Sequence, residues 1–243
     1  VLLNQYAMSE WDGHLRVATT TGGFGESAVR VLEVADGKLT QVGEVNGLGK
    51  GERIYAVRFL GPRAFVVTFR QTDPLYSVDL SDPARPEVTG ELKITGYSAH
   101  LQPVGADRLV GIGQEVRVDG PGTRVGSQVS LFDVSDATQP RRLDQHLVRD
   151  GYSEAEHDPH AVLFWPATGL LVLPYSDVET SGVLTLRVTA DGLSEAGRIT
   201  SDGASPVRRS LVIGDQLWTM TEEGLLASDL STLDRIGWVP MRG

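Results

Sequence analysis

The run SEAEHDPHA, residues 153–161, places Glu154, Glu156, His157, Asp158 and His160 within seven positions. Carboxylates and imidazoles together suit zinc, manganese or non-haem iron, and a metal held there would serve hydrolysis or elimination chemistry. The spacing limits that reading. His157 and His160 are three apart, and Pro159 between them forbids the helical turn that would align them. In an extended segment they point to opposite faces, whereas Asp158 and His160, two apart, share one. The same run also reads as a solvated loop with one buried, hydrogen-bonded histidine. His14, His100 and His146 stand alone.

Two aspartate turns, Asp79-Leu-Ser-Asp82 and Asp133-Val-Ser-Asp136, offer oxygen ligands of the kind calcium takes. They lack the alternating Asp loop with a later Glu, and Asp with Ser closes such turns without a metal. The glycine runs Gly22–Gly25 and Gly47–Gly51 lack the strand-to-helix setting and Gly-Lys-Ser/Thr ending of a phosphate loop. No Gly-x-Ser-x-Gly element is present, and cysteine is absent, which removes thiol catalysis, disulfides and thiolate metal sites. No catalytic residue, resident metal or cofactor is assigned on these patterns.

The elements that must position these residues are strands. Glycine is 28 of 243 residues, against a usual ~7%, and it is spread along the chain. Between the glycines lie short β-branched and apolar runs such as Val29–Val34, Phe65–Phe69, Val129–Val134 and Val183–Val188. No 12-residue window carries a convincing helical period. The formal net charge is −10, which is wrong for a protein that must displace counterions from duplex nucleic acid. No stretch approaches the ~18 apolar residues of a membrane-spanning helix.

The strand runs repeat. LYSVDLSDPARPEVTGEL (75–92) and VSLFDVSDATQPRRLDQ (129–145) align as strand, aspartate turn and second strand, and three weaker copies share the frame. The equivalent residues Val34, Leu80, Val134, Val188 and Leu230 lie 46, 54, 54 and 42 residues apart. Each copy follows a pair of similar strands. This predicts an all-β fold of five four-stranded antiparallel blades, a β-propeller, with blades near 4–46, 52–92, 96–145, 157–200 and 206–241. One blade cannot cover both its faces, so blades must pack face to face. The expected core is Val57, Phe59, Phe65, Val67, Leu101, Leu131, Val162, Phe164, Leu171, Leu184, Leu211 and Trp218. Aligning the first strands makes Tyr55, Ala99, His160 and Arg208 equivalent, with Arg53, Tyr97, Asp158 and Pro206 two residues earlier. Strand alternation then sets Arg53, Tyr55, Tyr97, Asp158, His160 and Arg208 around a channel mouth, where they either bind a polar or anionic ligand or fill and hydrate the channel. One acid, Asp158, beside two arginines makes a poor glycosidase, since that chemistry needs opposed carboxylates.

The stretch Glu52–Gly105, with QVSLFDVSD, SEAEHDPHAVLFWPATG and the opening LLNQYAMSEWDGHLRVATTT, resembles the bacterial and archaeal secreted proteins that carry a C-terminal β-propeller domain distantly related to WD40 repeats. The family usually has an aromatic where His157 stands. The resemblance implies an exported, cell-surface protein whose domain has further blades upstream; it supplies no activity and no binding residues. The repeat phase points the same way. The first unit opens at its innermost strand and the last ends at its outermost, near Trp238–Met241, leaving no spare strand for closure. The expectation is that blade one packs on blade five, or that upstream blades or another chain cover the ends. The favoured function is a non-catalytic binding or interaction module outside the cell, with an unknown protein or small anionic ligand as partner. The rival is a metal-assisted hydrolase or lyase at Asp158 and His160.

Overall fold

A computed structural model describes residues 1–22, 25–69, 73–117, 124–177, 180–201 and 205–241. Gly23 and Phe24 of the first glycine run lie outside the described residues. Among the described residues twenty strands form five four-stranded sheets, each built from strands consecutive in sequence. The first holds β1 (Met8–Trp11), β2 (His14–Thr20), β3 (Ser27–Ala35) and β4 (Lys38–Leu48); the second holds β5 (Arg53–Leu60), β6 (Arg63–Phe69), β7 (Asp73–Asp79) and β8 (Glu87–Ile94). The third holds β9 (Tyr97–Val104), β10 (Arg108–Val116), β11 (Arg124–Asp133) and β12 (Arg141–Arg149). The fourth holds β13 (Leu163–Trp165), β14 (Leu170–Ser176), β15 (Ser181–Val188) and β16 (Leu193–Thr200). The fifth holds β17 (Arg209–Ile213), β18 (Gln216–Met220), β19 (Gly224–Asp229) and β20 (Arg235–Pro240). The strands pair antiparallel, as β1 does with β2, β6 with β7 and β14 with β15, and the helices among the described residues are three single 3₁₀ turns, Gln5–Ala7, Glu154–Glu156 and Pro159–Ala161.

Two compact units divide the chain: Val1–Arg124 with Phe132–Arg142, and Val125–Leu131 with Leu143–Gly243. In the first unit, Ala18, Val29 and Val31 pack on Ile54, Val57, Val66 and Val78. Phe65, Val67 and Leu75 of the same second sheet pack, on its opposite face, against Leu101, Leu109 and Phe132. A sheet sandwiched this way is apolar on both faces, so β6 is buried from Ala64 to Thr68. In the second unit Leu170, Val172 and Val183 meet Leu217, Leu226 and Trp238. Most of the expected core is buried, Phe65 and Leu171 completely. Phe59, Val162, Phe164 and Trp218 are half-buried. Leu211 is a correction: it is 39% exposed, because alternation turns its neighbour Val212 toward the fourth sheet and Leu211 to the opposite face.

The outer strands share a device. In β4, β8, β16 and β20 the ladder slips by one residue, leaving Val42, Thr89, Ala196 and Ile236 as bulged residues before Gly43, Gly90, Gly197 and Gly237. The aspartate turn of the following sheet settles on such a glycine. A Cβ on Gly43 would overlap the Pro83 carbonyl oxygen and lie 2.8 Å from Pro86 Cδ; one on Gly90 would overlap the Ala137 carbonyl and lie 2.9 Å from Pro140 Cδ. Arginines clasp successive sheets of the first unit. Arg58 Nε donates to Leu101 O at 2.8 Å, Arg63 Nη1 to Val134 O at 2.8 Å, and Arg16 to Gly61 O.

Candidate ligand-binding site

In the first unit, β5 opens with Arg53 and immediately bulges: Ile54 pairs with Thr68 and Ala56 with Val67, leaving Tyr55 as the extra residue. A bulge re-aims the side chain it carries. Tyr55 meets Tyr97, the first residue of β9, at 4.9 Å between ring centroids, and Phe69, the last of β6, edge-on at 5.5 Å. Phe69 and Tyr97 are themselves 4.9 Å apart. The guanidinium of Arg53 lies 4.6 Å from the centre of the Tyr55 ring, and its Nη2 donates to the Tyr55 hydroxyl at 2.9 Å. Phe69 is a member that the sequence reading missed; the signal was available in register, since Phe69 is the β6 partner of Arg53.

Arg53 makes no ion pair among the described residues. Its neighbour Glu52 is occupied elsewhere, accepting from Thr68 Oγ1 at 2.5 Å. The start of β5 is fixed by Thr20, whose hydroxyl oxygen accepts from the Ile54 amide at 3.1 Å and meets Ser27 Oγ at 2.9 Å. Beside Arg53 and Ile54 opens a cleft of about 300 Å³, lined also by Val1, Leu2, Leu3, Ala18, Thr20 and Gly22. The result is a fixed cation, stacked on an aromatic cluster, at the rim of an apolar hollow.

In the second unit Asp158 and His160 are not on a strand. They form a 3₁₀ turn ahead of β13: Pro159 takes the first helical position, where its missing N–H costs nothing, and Asp158 caps it. The alternation argument therefore does not apply to them, nor to Arg208, which immediately precedes β17. Asp158 and His160 still meet, through the cap: Asp158 Oδ1 accepts from the His160 amide at 2.9 Å and lies 3.1 Å from its Nδ1. The arginine on Asp158 is Arg209, at 2.7 Å. Partial burial pushes the Asp158 carboxyl up, but the His160 amide, Arg209 and the His160 ring outweigh it and hold its pKa below the usual value. Arg208 pairs with Glu154 at 3.0 Å and Glu222 at 3.4 Å. His157 lies against Tyr152, ring centroids 5.7 Å apart. Among the described residues no three His, Asp or Glu side chains are grouped to hold a metal ion.

The aspartate turns spend their carboxylates locally. Asp79 accepts from the Ser81 amide at 2.8 Å, Asp82 from Ala84 at 3.0 Å, and Asp136 from Thr138 at 2.9 Å. Asp133, buried, accepts from Ser135, Arg108 and Arg141. These are turn and clasp contacts.

Sheets of four consecutive antiparallel strands, repeated five times and packed through alternating apolar faces, define a propeller-type protein. Residues 1–233 match the β-propeller domain family, and the chain belongs to it. It is 43% identical over 175 residues to an uncharacterised protein of Methanocaldococcus jannaschii, covering 71% of this chain and 27% of that protein. It is 35% identical over 236 residues to an uncharacterised protein of Archaeoglobus fulgidus, covering 97% of this chain and 35% of that protein. The chain thus spans about a quarter to a third of the length of the curated relatives it matches. Among solved structures it is similar to BamB from Moraxella catarrhalis, with a TM-score of 0.58 at 12% identity over 99% of this chain and 62% of that one. That likeness is one of fold.

Proposed function

We propose that this domain is a non-catalytic binding module, and that its ligand site is the rim formed by Arg53, Tyr55, Phe69 and Tyr97. The observation that carries the reading is the state of the arginines. Arg208 and Arg209 are neutralised by Glu154, Glu222 and Asp158, whereas Arg53 is held in place by an aromatic ring and a hydroxyl, with no carboxylate on it among the described residues. A guanidinium fixed beside an apolar cleft suits a ligand with a carboxylate or phosphate on a flat apolar body. Asp158 and His160, each already engaged by the other and by Arg209, form a braced turn in this reading. The family resemblance adds a location outside the cell, at the surface, which fractionation of the producing cells tests directly.

The ligand reading is tested with 2-naphthoate as probe, by calorimetric titration of the whole protein and of Arg53→Ala. A charge-assisted hydrogen bond contributes about 1.5–3 kcal/mol, so the variant is expected to bind about 10- to 100-fold more weakly. Equal affinity in the two proteins, or no binding to either, overturns the assignment of this rim.

A further inference from the structure

In β2 alternation turns Arg16, Ala18 and Thr20 to the buried face, against the second sheet. Arginine is almost never fully buried unless it is paired, yet Arg16 is 2% exposed. One of its Nη atoms donates to the Gly61 carbonyl, the other to Ser9 Oγ at 2.7 Å, and the guanidinium lies 5.0 Å from the centre of the Phe59 ring. Its Nε is shielded from water and has no hydrogen-bond partner among the described residues. No carboxylate among the described residues pairs with it. Glu10, whose charge acts on it, accepts from the Gly13 amide at 3.2 Å instead. Burial pushes the guanidinium pKa below its ordinary value, and Glu10 offsets that only in part. A charge buried without a counter-ion is costly.

Arg16 also forms part of the wall of a cleft of about 110 Å³, at the end of β2 away from the Arg53 rim. Val31, Leu80, Pro62 and Pro83 give this cleft an apolar side, and Trp11 and His14 line it from the β1–β2 turn. The volume is well above the ~10–15 Å³ that one water needs and below the ~300–1,000 Å³ of pockets for drug-sized ligands. It suits a molecule of a few heavy atoms. The Trp11 indole rests over Gly61, whose carbonyl Arg16 holds: a Cβ on Gly61 would lie 3.7 Å from Trp11 Cη2. Asp12, the acid among the lining residues, sits on the exposed turn, where water and salt screen its charge.

We propose that this cleft is a second binding site, for a short-chain monocarboxylate such as propionate, with the carboxylate on the guanidinium of Arg16 and the alkyl end against Leu80 and Pro62. The planar N–H fork of an arginine matches the two oxygens of a carboxylate. A single buried cation balances a single negative charge, whereas a phosphate would bring more charge than Arg16 offsets, and the apolar side of the cleft would not hydrate the excess. The inference is independent of the ligand reading at Arg53, which opens β5, whereas the residues Arg16 holds and packs on, Gly61 and Phe59, lie at the far end of that strand.

The test uses the whole protein labelled with 5-fluorotryptophan, with the Trp11 fluorine resonance identified by its loss in Trp11→Phe. Titration with sodium propionate at constant ionic strength is expected to move the Trp11 resonance saturably and to leave the other tryptophan resonances in place. In Arg16→Lys, which keeps the charge and loses the planar fork, the dissociation constant is expected to rise about 10-fold. Propionamide, of the same shape without the charge, is expected to produce no saturable shift; this comparison needs no variant at position 16, so it decides even if Arg16→Lys fails to fold. No saturable shift of Trp11 with propionate, a shift shared by all the tryptophans, an equal response to propionamide, or an unchanged dissociation constant in folded Arg16→Lys overturns the proposal.

Discussion

Asp133 shows what a single carboxylate does in this fold. It closes its own turn through the Ser135 hydroxyl and amide, at 2.7 and 3.0 Å, and ties β10 and β12 through Arg108 and Arg141, at 2.7 and 2.8 Å. Ser135 first, then Arg141, holds the carboxyl well below the usual range. A folded pKa lower than the unfolded one contributes stability above the unfolded value of about 3.9, and that contribution is lost as pH falls toward the folded pKa. Asp133→Ala is therefore expected to cost about 2 kcal/mol at pH 7, discounted from the fully buried case because Arg141 is largely solvated. The gap to the parent protein should close as denaturation is measured at successive pH values below about 4. A gap that stays constant down to pH 2.5 would show that packing, not charge, carries the effect. The Asp-x-Ser-Asp pattern made these turns legible in the sequence, and their carboxylates proved structural. Arg53, Tyr55 and Tyr97 were legible as neighbours because each opens or nearly opens a first strand. Phe69 was not, since finding it required the register of β6 on β5.

At the scale of elements, the third strand of each sheet was the clearest signal: β3, β7, β11, β15 and β19 cover the β-branched runs and end at turn residues. The first strand of the fourth sheet was the least legible. PHAVLFW reads as one extended run, yet only Leu163–Trp165 is strand, because Pro159 and the Asp158 cap make a 3₁₀ turn of what precedes it. A local cap competes with a strand whose pairing lies elsewhere in the chain, and the alternation pattern does not record which prevails. The outer-strand glycines were visible only as composition; their purpose depends on what settles on them. That purpose gives a prediction. Gly43→Ala should destabilise by about 1–3 kcal/mol, since the added methyl meets the Pro83 carbonyl and Pro86 ring and either the turn or the bulge must move. Ordinarily Gly→Ala in a strand is neutral or stabilising through the unfolded chain, so the sign of the change decides. Chemical denaturation that finds Gly43→Ala as stable as the parent would show that the turn at 83–86 is not seated as described.

For the whole molecule, the balance to consider is between apolar faces and net charge. Ile213, Val239 and Leu211 of the fifth sheet are exposed apolar side chains, as are Val34, Leu39 and Met8 of the first. A formal charge of −10 opposes association, but it acts through a screened potential, whereas an apolar face gains roughly 25 cal/mol per Å² on burial at any salt concentration. Residues 1–243 produced alone should therefore self-associate and bind a hydrophobic dye, the more so in salt. Ile213→Lys with Val239→Lys should reduce both. The pair is chosen for its sign: two lysines bring the net charge nearer to zero, so improved solubility cannot come from added repulsion and must come from the face itself. Light scattering and dye fluorescence of the parent and the double variant, measured side by side, check this, and equal values for the two would show that association runs through another surface.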